Sequence, residues 1–393
     1  MLIEIHAIQN HSPSNLNRDD LGAPKTCYFG GALRSRISSQ CIKRSIRMSR
    51  EFQALCGGIR TRQLARLIAE KVQGKPDVQK RAEKILELCG FKPKKAKKEE
   101  TDDAADSEKS KMLVYTSRQA IEEMAALLQN GDGRTEKQLA ADFCALISKH
   151  VAVPDMALSG RMLEPDKSSN DLWKELDKTV EAALQVAHAI STHEALPEVD
   201  YYVAADDIPG EDAGAGYVDE SMFASACFYK YFSINWDKLV ENLNGQKELA
   251  AHTVGAFIRG AALANPSGKQ NSFAAHNPPD GLLIQFADTP TSYANAFAAP
   301  VSGKGNPDVI SQSVAQLAHY VRDLDTGYGK PQKRFWFSPN LRYPLCVIEA
   351  KKTIPVAEVN LKSLDQLIPA VIGGLGFDWN SVQKKVTSQQ VAP

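Results

Sequence analysis

Apolar and polar residues alternate at the start of the chain. Ile3, Ile5 and Ala7 fall on one side of residues 2–8, which is the period-two pattern of a half-buried strand. The residues that follow, 10–25, are rich in Asn, Ser, Pro and Asp, so they predict a loop. Further strands are predicted at residues 223–234, 281–287, 334–337 and 345–349.

A helix with two different sides is predicted soon after this loop. Ser38 or Ser39 can cap it, because a serine hydroxyl accepts hydrogen bonds from the exposed amides of a first helical turn. At about 100° per residue the side chains fall into an apolar arc and a cationic arc. The apolar arc holds Cys41, Ile42, Ile46, Met48, Ser49 and Phe52, and the opposite arc holds Gln40, Lys43, Arg44, Arg47 and Arg50. The pattern predicts an amphipathic helix that buries its apolar side.

The order of the predicted elements indicates the fold class. A helical pattern extends over residues 62–129 and is interrupted at 92–111, which has almost no apolar residue and is expected to be a mobile loop. Residues 196–221, rich in Gly, Pro and acidic residues, predict an extended excursion. Further helices are predicted at residues 136–149, 170–189, 246–264 and 310–325. Strand, helix, long helical insert, strand, helix and strand is the order of a split βαβ sheet, so the sequence predicts one α+β core with insertions.

Charge is unevenly distributed along a chain that is neutral as a whole. The 393 residues include 47 Lys and Arg against 47 Asp and Glu, and 43% are hydrophobic, as in soluble globular proteins. Residues 21–50, however, contain seven basic residues and no acidic one. On an ordinary solvated helix acidic residues alternate with basic ones, because such neighbours stabilise the helix. Together with nearby glycine amides and a helix N-terminus, this segment favours binding of a polyanion.

Several other classes of protein are not supported by the sequence. The seven cysteines are scattered and contain no CxxC pair, so we expect reduced thiols, a cytoplasmic location and no zinc site. The N-terminus does not have the pattern of a signal peptide, and no apolar run is long enough to span a membrane. Neither a phosphate-binding GxxxxGK loop nor a GxSxG nucleophile motif occurs, so no cofactor is expected.

His6, His11, Asp19 and Asp20 lie close in sequence and raise the question of a metal or nuclease site. Two histidines five positions apart along a strand do not share a face, because strand side chains alternate. The two aspartates fit a turn equally well. The pattern therefore favours structural roles for these residues and predicts no metal site.

Two apolar features in polar surroundings have alternative interpretations. Tyr201 and Tyr202 have little to pack on within their own acidic, glycine-rich segment, so they either dock on another subunit or stack on a nucleic-acid base. Met162 follows Gly160 and Arg161 in a predicted loop. From the pattern alone, core packing is the expectation for Met162, and a flexible apolar wedge is the alternative.

Nine segments occur in order along nearly the whole chain: SPSNLNRDD (12–20), FGG (29–31), RSRISSQ (34–40), KRSIR (43–47), ALSGRM (157–162), AHAISTHE (187–194), FYKYFSIN (228–235), GKQNSFAAHNP (268–278) and YANAF (293–297). In residues and in order, these segments resemble the CasC family, the backbone subunits of the type I-E CRISPR surveillance complex Cascade. A match of this length is far more specific than any single motif. The insert at 92–111 is longer than is usual in that family.

The resemblance implies an α+β fold in the shape of a right hand. An RRM-like (ferredoxin-like) palm would comprise residues 1–57 and 222–393, inserted helical fingers residues 58–190, and an extended thumb residues 191–221. Copies would stack into a helical filament along the CRISPR RNA, with each thumb reaching over the neighbouring copy. Because the palm lacks the aromatic signature with which RRMs stack bases, the RNA would be held mainly through its backbone.

The same resemblance, together with the basic segment, assigns residues to RNA binding. The predicted RNA-binding residues are Arg18, Lys25, Arg34, Arg36, Ser38, Gln40, Lys43, Arg44, Arg47 and Lys269. Met162 of the fingers, with Tyr202 and Val218 of the thumb, would bracket a base displaced from the stack at regular intervals. We further hypothesise that acidic thumb residues keep the thumb off the RNA except at its apolar contacts; these are Asp206, Asp207, Glu211 and Asp212.

The function implied by the resemblance is that of a non-catalytic scaffold in antiviral defence. The scaffold would present guide segments for pairing with target DNA, so that base pairing reads the sequence and the protein reads only the backbone and its shape. The implied partners are CRISPR RNA, target DNA, neighbouring copies, and the large, small, five-prime-end and three-prime-end subunits of Cascade. Cleavage would belong to a recruited helicase–nuclease.

Two other functions remain open at the level of sequence. Related backbone subunits of type III complexes cut target RNA with an aspartate near the first loop, which would give Asp19 or Asp20 a catalytic role. A free-standing RNA-binding protein is the other alternative, and it predicts a monomer on RNA instead of a cooperative assembly.

Overall fold

A computed structural model describes residues 1–92, 112–131, 133–204, 217–302 and 308–391 of the chain. These residues form two compact units: residues 1–54, 185–236 and 251–393, called here the sheet unit, and residues 55–184 and 237–250, called the helical unit. The predicted α+β class is confirmed. The expected mobile loop lies outside the described residues from position 93 to position 111.

The strands are β1 (Leu2–Ser14), β2 (Thr26–Phe29), β3 (Ala32–Ile37), β4 (Gly58–Thr61), β5 (Val114–Ser117), β6 (Arg161–Met162), β7 (Thr179–Val180), β8 (Leu184–Val186), β9 (Ala189–Ser191), β10 (Glu198–Ala204), β11 (Tyr217–Asn235), β12 (Gly281–Ala287), β13 (Lys333–Phe337), β14 (Cys346–Glu349), β15 (Lys352–Pro355) and β16 (Val359–Leu361). The helices are α1 (Ser39–Arg47), α2 (Arg50–Gln53), α3 (Leu64–Ala69), α4 (Val78–Leu88), α5 (Arg118–Asn130), α6 (Glu136–Lys149), α7 (Pro154–Ser159), α8 (Trp236–Asn242), α9 (Lys247–Leu263), α10 (Gln270–Phe273), α11 (Val309–Tyr328), α12 (Leu364–Gly374) and α13 (Trp379–Val391).

A large mixed sheet organises the sheet unit. In the described residues, eight of its strands follow one another in the order β16, β13, β12, β1, β11, β9, β3 and β2, with β13 and β16 parallel and the other neighbours in this order antiparallel. The central strand β1 pairs with both β11 and β12, so that Ile5 lies opposite Phe232 on one side and Ile284 on the other. The first seven residues of β11, Tyr217–Phe223, instead pair with β10 to form a two-stranded ribbon.

Both faces of β1 are buried, which corrects the prediction of a half-buried strand. On one face Phe232, the partner of Ile5, packs edge-on against Phe257 of α9 at a centroid distance of 5.5 Å. On the other face Ile8 belongs to a core that includes Val314 and other apolar residues of α11. The alternating pattern was misleading because Glu4, His6 and Gln9, all polar residues of this strand, are buried and hydrogen-bonded.

The buried carboxylate of Glu4 shows how such polar residues are accommodated. It accepts hydrogen bonds from the Tyr231 hydroxyl at 2.5 Å, from the backbone N–H of Thr291 at 2.8 Å and from Nε2 of Gln285 at 2.8 Å. Burying a carboxylate without hydrogen bonds costs free energy, and the three donors around Glu4 avoid that cost.

Three of the predicted helices are confirmed, and a fourth is wrong. The helix at 136–149 is confirmed at both ends, and the helices near 246–264 and 310–325 are confirmed within three residues. The helix predicted at 170–189 is wrong, because a 3-10 helix (Lys167–Trp173) is followed there by β7, β8 and the start of β9. β9 lies between β11 and β3, so its extended form is set by pairing with distant strands. The predicted loop at 10–25 is also shortened, since β1 continues to Ser14.

The two buried histidines of β1 predict a loss of stability in mild acid. Burial and the charge of Arg334 lower the pKa of His6 to about 3, and burial and the charge of Lys230 lower that of His11 to about 3. Because the unfolded histidines titrate near 6.5, the unfolded state binds more protons below that pH and stability falls between pH 6.5 and pH 3. We expect a loss of about 3–4 kcal/mol between pH 7 and pH 5, measured by urea denaturation.

The exposed His319 provides the control for this pH dependence. His319→Gln is expected to keep the steep profile, because the pH dependence is assigned to His6 and His11, which this variant retains. A free energy of unfolding that is unchanged from pH 7 to pH 5 would show that His6 and His11 are accessible to protons in the folded chain.

Candidate RNA-binding surface

The tip of the β2–β3 hairpin is fixed against the loop that follows β12. Gly30 and Gly31 have φ angles of 59° and 80°, the left-handed pair that a tight two-residue hairpin turn requires. A Cβ on Gly30 would lie 1.7 Å from the carbonyl oxygen of Ala298, whereas one on Gly31 would meet no atom within 4 Å. The turn therefore packs with its first glycine directly on the backbone of Ala298.

Gly30→Ala is expected to lower the free energy of unfolding by about 2–4 kcal/mol, because it adds both backbone strain and a steric overlap. Gly31→Ala is the matched control: it adds the same methyl group at positive φ in open space and is expected to cost about 1 kcal/mol. Chemical denaturation of both variants measures the difference. Equal costs would mean that the hairpin tip is not packed on Ala298.

Arg34 holds the same loop by hydrogen bonds from its buried side chain and does not lie on the surface. Its side chain is 0% exposed, Nη1 donates to the carbonyl of Ser191 at 2.9 Å, and Nη2 donates to the carbonyl of Phe297 at 2.8 Å. Burial also lowers the pKa of Arg34. The assignment of Arg34 to the RNA-binding residues is therefore corrected: the guanidinium joins β9 to the loop after β12.

The apolar side of α1 is buried largely as predicted. Ile42, Ile46 and Phe52 are each less than 5% exposed, whereas Met48 is 52% exposed and departs from the prediction. The helix ends at Arg47, and a new short helix, capped by Ser49, begins at residue 50. The change of direction takes Met48 off the apolar arc.

The cationic side of α1 is accessible. Gln40 and Arg44 are exposed, and Lys43 and Arg47 are half-buried. Among the residues that the structure describes, neither Lys43 nor Arg44 has an acidic partner. Because no acid neutralises them, these two cations are free to attract an anion.

Asn17 connects the loop between β1 and β2, residues 15–25 and called here the first loop, to the start of α1. Its Oδ1 accepts a hydrogen bond from the backbone N–H of Ser38 at 2.9 Å, and its carbonyl accepts one from the backbone N–H of Lys25 at 2.8 Å. Ser38 is 8% exposed and its Oγ accepts from the N–H of Cys41 at 3.3 Å, so the predicted capping role is confirmed. Lys25 and the exposed Arg18 thus belong to a loop that is tied to the helix start.

Lys25 acts electrostatically on His188 together with Arg36, and on Cys41 together with Arg44. Burial lowers the pKa of His188, and the charges of Arg36 and Lys25 lower it further. Burial raises the pKa of Cys41, while nearby cations that include Lys25 and Arg44 oppose this shift. Nη1 of Arg36 lies 2.8 Å from Nδ1 of His188, which must accept because arginine can only donate. His188, whose segment had been predicted as a helix, was not among the residues assigned to RNA binding.

A second loop, residues 264–280, brings Lys269 to the first loop. A Cβ on Gly268 would lie 2.6 Å from the carbonyl oxygen of Leu16, so the two backbones are in close contact. Nζ of Lys269 donates to Oγ of Ser221 at 2.6 Å, next to the β10–β11 ribbon. A cleft of about 600 Å³ between this loop and α1 is lined by residues that include Arg44, Met48, Arg50, Leu263, Asn265 and Gly268.

A buried polar chain, which the sequence reasoning also missed, fastens this second loop to the sheet. Lys230 is 2% exposed, and its Nζ donates to Oε1 of Gln9 at 2.5 Å. Nε2 of Gln9 donates in turn to Oδ1 of Asn265 at 3.0 Å and to the carbonyl of Asn277 at 2.5 Å. Burial lowers the pKa of Lys230 to about 8. A lysine in the middle of an otherwise apolar predicted strand was the available signal.

Met162 is exposed in the helical unit, which corrects the expectation of core packing from pattern alone. Its side chain is 72% exposed on the short β6–β7 ribbon. The preceding residue, Arg161, is 4% exposed and holds the ribbon by donating to the carbonyls of Ile147 at 2.6 Å and Asp177 at 3.0 Å. Met162 therefore protrudes from a firmly anchored base.

The β10–β11 ribbon carries the other residues assigned to base displacement. Tyr202 is 45% exposed, pairs with Asp219, and donates its hydroxyl to Oδ2 of Asp219 at 2.9 Å. Val218 pairs with Val203 in the backbone register of the ribbon. The acidic positions 206, 207, 211 and 212, for which a role was hypothesised, lie outside the described residues.

Asp19, one of the two candidates for RNA cleavage, takes part in a turn. Its Oδ1 accepts hydrogen bonds from the backbone N–H groups of Leu21 and Ala23, both at 2.9 Å. Asp20 is exposed beside it. Within the described ranges, no group of three His, Cys, Asp or Glu side chains is arranged to hold a metal ion. Over the same ranges, no helix is long and apolar enough to cross a membrane.

A family model described as CT1975-like protein matches residues 3–367. The chain belongs to the CT1975-like family. One solved structure, "CRISPR RNA-guided surveillance complex, pre-nicking", contains a chain that superposes on this CT1975-like protein with a TM-score of 0.77 at 29% identity, covering 95% of this chain and 100% of that one. A second, "CRISPR RNA-guided surveillance complex", superposes with a TM-score of 0.56 at 24% identity over 95% and 100% of the two chains, which shows a shared fold. A comparison with curated proteins gave no match.

These comparisons confirm the predicted relationship at the level of the class of complex. The CT1975-like chain is similar, over nearly its full length, to subunits of CRISPR RNA-guided surveillance complexes. The two loops and α1 of the sheet unit, which carry most of the predicted cations, lie within the matched range.

Proposed function

We propose that this protein is the backbone subunit of a type I-E CRISPR surveillance complex, a non-catalytic scaffold that polymerises along CRISPR RNA. The observation that carries the proposal is the convergence of cations from three separate segments: the first loop, α1 and the loop that carries Lys269. We call their accessible basic and amide residues the cationic surface; they are Arg18, Lys25, Arg36, Gln40, Lys43, Arg44, Arg47 and Lys269. Positive charge without an aromatic platform suits a strand held by its phosphates whatever its sequence.

In this proposal the sheet unit contains an RRM-like palm, the helical unit forms the fingers, and the β10–β11 ribbon belongs to the thumb. The central strand order β12, β1, β11, β9 and the placement of α1 and α9 after β1 and β11 support a ferredoxin-like arrangement. Met162, Tyr202 and Val218 would displace a base at each repeat, and the exposure of Met162 and Tyr202 is consistent with that role.

The guide segments between displaced bases would remain ordered for pairing with target DNA, so that an R-loop forms during antiviral defence. Neighbouring copies and the large, small, five-prime-end and three-prime-end subunits would complete the complex in the cytoplasm. A recruited helicase–nuclease would cut the target. The turn contacts of Asp19 favour a structural role over RNA cleavage through Asp19 or Asp20.

Copurification tests the proposal. The tagged chain, expressed in a host that makes the guide RNA and the other subunits, is expected to elute as a large assembly from which RNA of one discrete length can be extracted. A monomer on heterogeneous RNA would favour a free-standing RNA-binding protein. Elution without nucleic acid would contradict the proposal.

A further inference from the structure

Arg60 of the helical unit is an exposed cation held in one orientation. It pairs with Tyr115 across the β4–β5 ribbon, and its Cζ lies 4.3 Å from the centroid of the Tyr115 ring. Its Nη2 donates to Oγ of Ser159 at 3.0 Å. Stacking on an aromatic ring and a hydrogen bond together restrict a side chain that would otherwise sample many rotamers.

The groups that hold Arg60 are themselves fixed by a buried carboxylate. Asp155 is 2% exposed, its Oδ2 accepts the Tyr115 hydroxyl at 2.8 Å, and its Oδ1 accepts the N–H of Gly58 at 3.0 Å. A Cβ on Gly58 would lie 2.7 Å from both Tyr115 and Asp155, so this packing requires glycine. Oγ of Ser159 also donates to the carbonyl of Asp155 at 2.6 Å. The platform beneath Arg60 is therefore rigid.

Arg60 is not neutralised within the described part of the chain. It has no acidic partner there, and neither do the exposed Arg62 and Arg118, which lie just after β4 and at the start of α5. An arginine that is oriented but has no acidic partner retains N–H groups on Nε and Nη1 that can donate to a further acceptor. The planar guanidinium edge fits two oxygens of one phosphate better than a single point acceptor.

Arg60 is linked to the backbone near Met162 through its hydrogen bond to Ser159. Ser159 precedes Met162 by three residues, which limits the distance between the Cα atoms of Ser159 and Met162 to about 11 Å. Gly160, with a φ of 72°, makes the turn between them. A nucleic-acid strand that passes Met162 would therefore bring its phosphates within reach of Arg60.

We propose that Arg60 binds a phosphodiester of the nucleic-acid strand that passes Met162, next to the nucleotide displaced there. The inference rests on the proposed function and adds to it a phosphate contact in the helical unit. The phosphate belongs either to the guide RNA or to the target strand paired with it, and the two sources are separated by the test.

The test measures binding of a labelled single-stranded guide RNA to the purified chain over a range of salt concentrations, and then binding of a complementary DNA strand by the assembled complex. Arg60→Gln is expected to weaken one of these steps about tenfold and to reduce its log–log salt slope by about 0.7 per protomer. Arg60→Lys keeps the charge without the planar fork and is expected to recover part of the loss. Ser159→Ala, which changes no charge, is expected to give a smaller loss of affinity in the same binding step.

Arg66→Gln is the matched control, since Arg66 is an exposed arginine of the same unit that is paired with Glu70 at 2.8 Å. Equal effects of Arg60→Gln and Arg66→Gln, or no effect of Arg60→Gln on either step, would overturn the inference. A loss in the guide step places the phosphate on the guide, and a loss in the second step alone places it on the target. Failure of the wild-type chain to bind guide RNA would instead count against the proposed function.

Discussion

Charge reversal by Lys43→Glu together with Arg44→Glu is expected to lower the affinity for single-stranded guide RNA by at least about 100-fold. Each of the two cations lacks an acidic partner in the described residues, so each can make a charge-assisted contact with a phosphate. Loss of two such contacts corresponds to about 3 kcal/mol or more, and the new carboxylates add repulsion. The log–log salt slope should also fall by about 1.4, as expected for two phosphates on a single strand.

The matched control is Lys351→Glu with Lys352→Glu. These exposed neighbours lie at the turn of the β14–β15 ribbon in the same sheet unit, and their reversal changes the net charge by the same amount. We expect affinity within about threefold of the wild-type value for this control, because screened charges outside the contact contribute little. Similar losses in both double variants would show that only the total charge matters and that α1 is not the contact.

The second large effect is expected from Arg34→Ala, and it concerns stability. Removal of the buried guanidinium leaves the carbonyls of Ser191 and Phe297 without donors and opens a cavity between β9 and the loop after β12. The expected cost is about 3–5 kcal/mol in the free energy of unfolding, measured by chemical denaturation. Arg34→Lys should recover only part of it, because one ammonium group cannot match the fork that reaches both carbonyls.

Arg44→Ala is the control for Arg34→Ala, since it removes an exposed arginine from the same region and should change stability by no more than about 0.5 kcal/mol. At a temperature where the Arg34→Ala variant is still folded, its salt slope for RNA binding should equal that of the wild type. A variant with unchanged stability and a reduced salt slope would show that Arg34 contacts RNA after all.

How well the fold could be read from the sequence depended on where each element obtains its stability. Residues 136–149 carry a long apolar period and a capping box formed by Thr135 and Gln138, both local signals, and the helix was predicted with the observed ends. Residues 170–189 form short strands whose partners lie far away in the chain, and no local pattern contains that information. The burial of both faces of β1 likewise depends on α9 and α11.

In the candidate site, too, local features could be predicted from the sequence and contacts between distant segments could not. Charge pattern and capping residues were sufficient to predict α1 with its cationic side, because both are properties of a single helix. Arg34 looked like its basic neighbours, and only the loop after β12 explains why it is buried. Lys230 and His188 act through partners in distant segments, and the ring that orients Arg60 comes from another strand of its ribbon.

The most direct test of the central claim, that the cationic surface faces the RNA, is lysine footprinting of the assembled complex. Amine acetylation followed by mass spectrometry would compare Lys25, Lys43 and Lys269 before and after removal of the RNA, with Lys351 as an internal control. We predict strong protection of the first three lysines by RNA and equal labelling of Lys351 in both states. Equal labelling of Lys25, Lys43 and Lys269 with and without RNA would contradict the account.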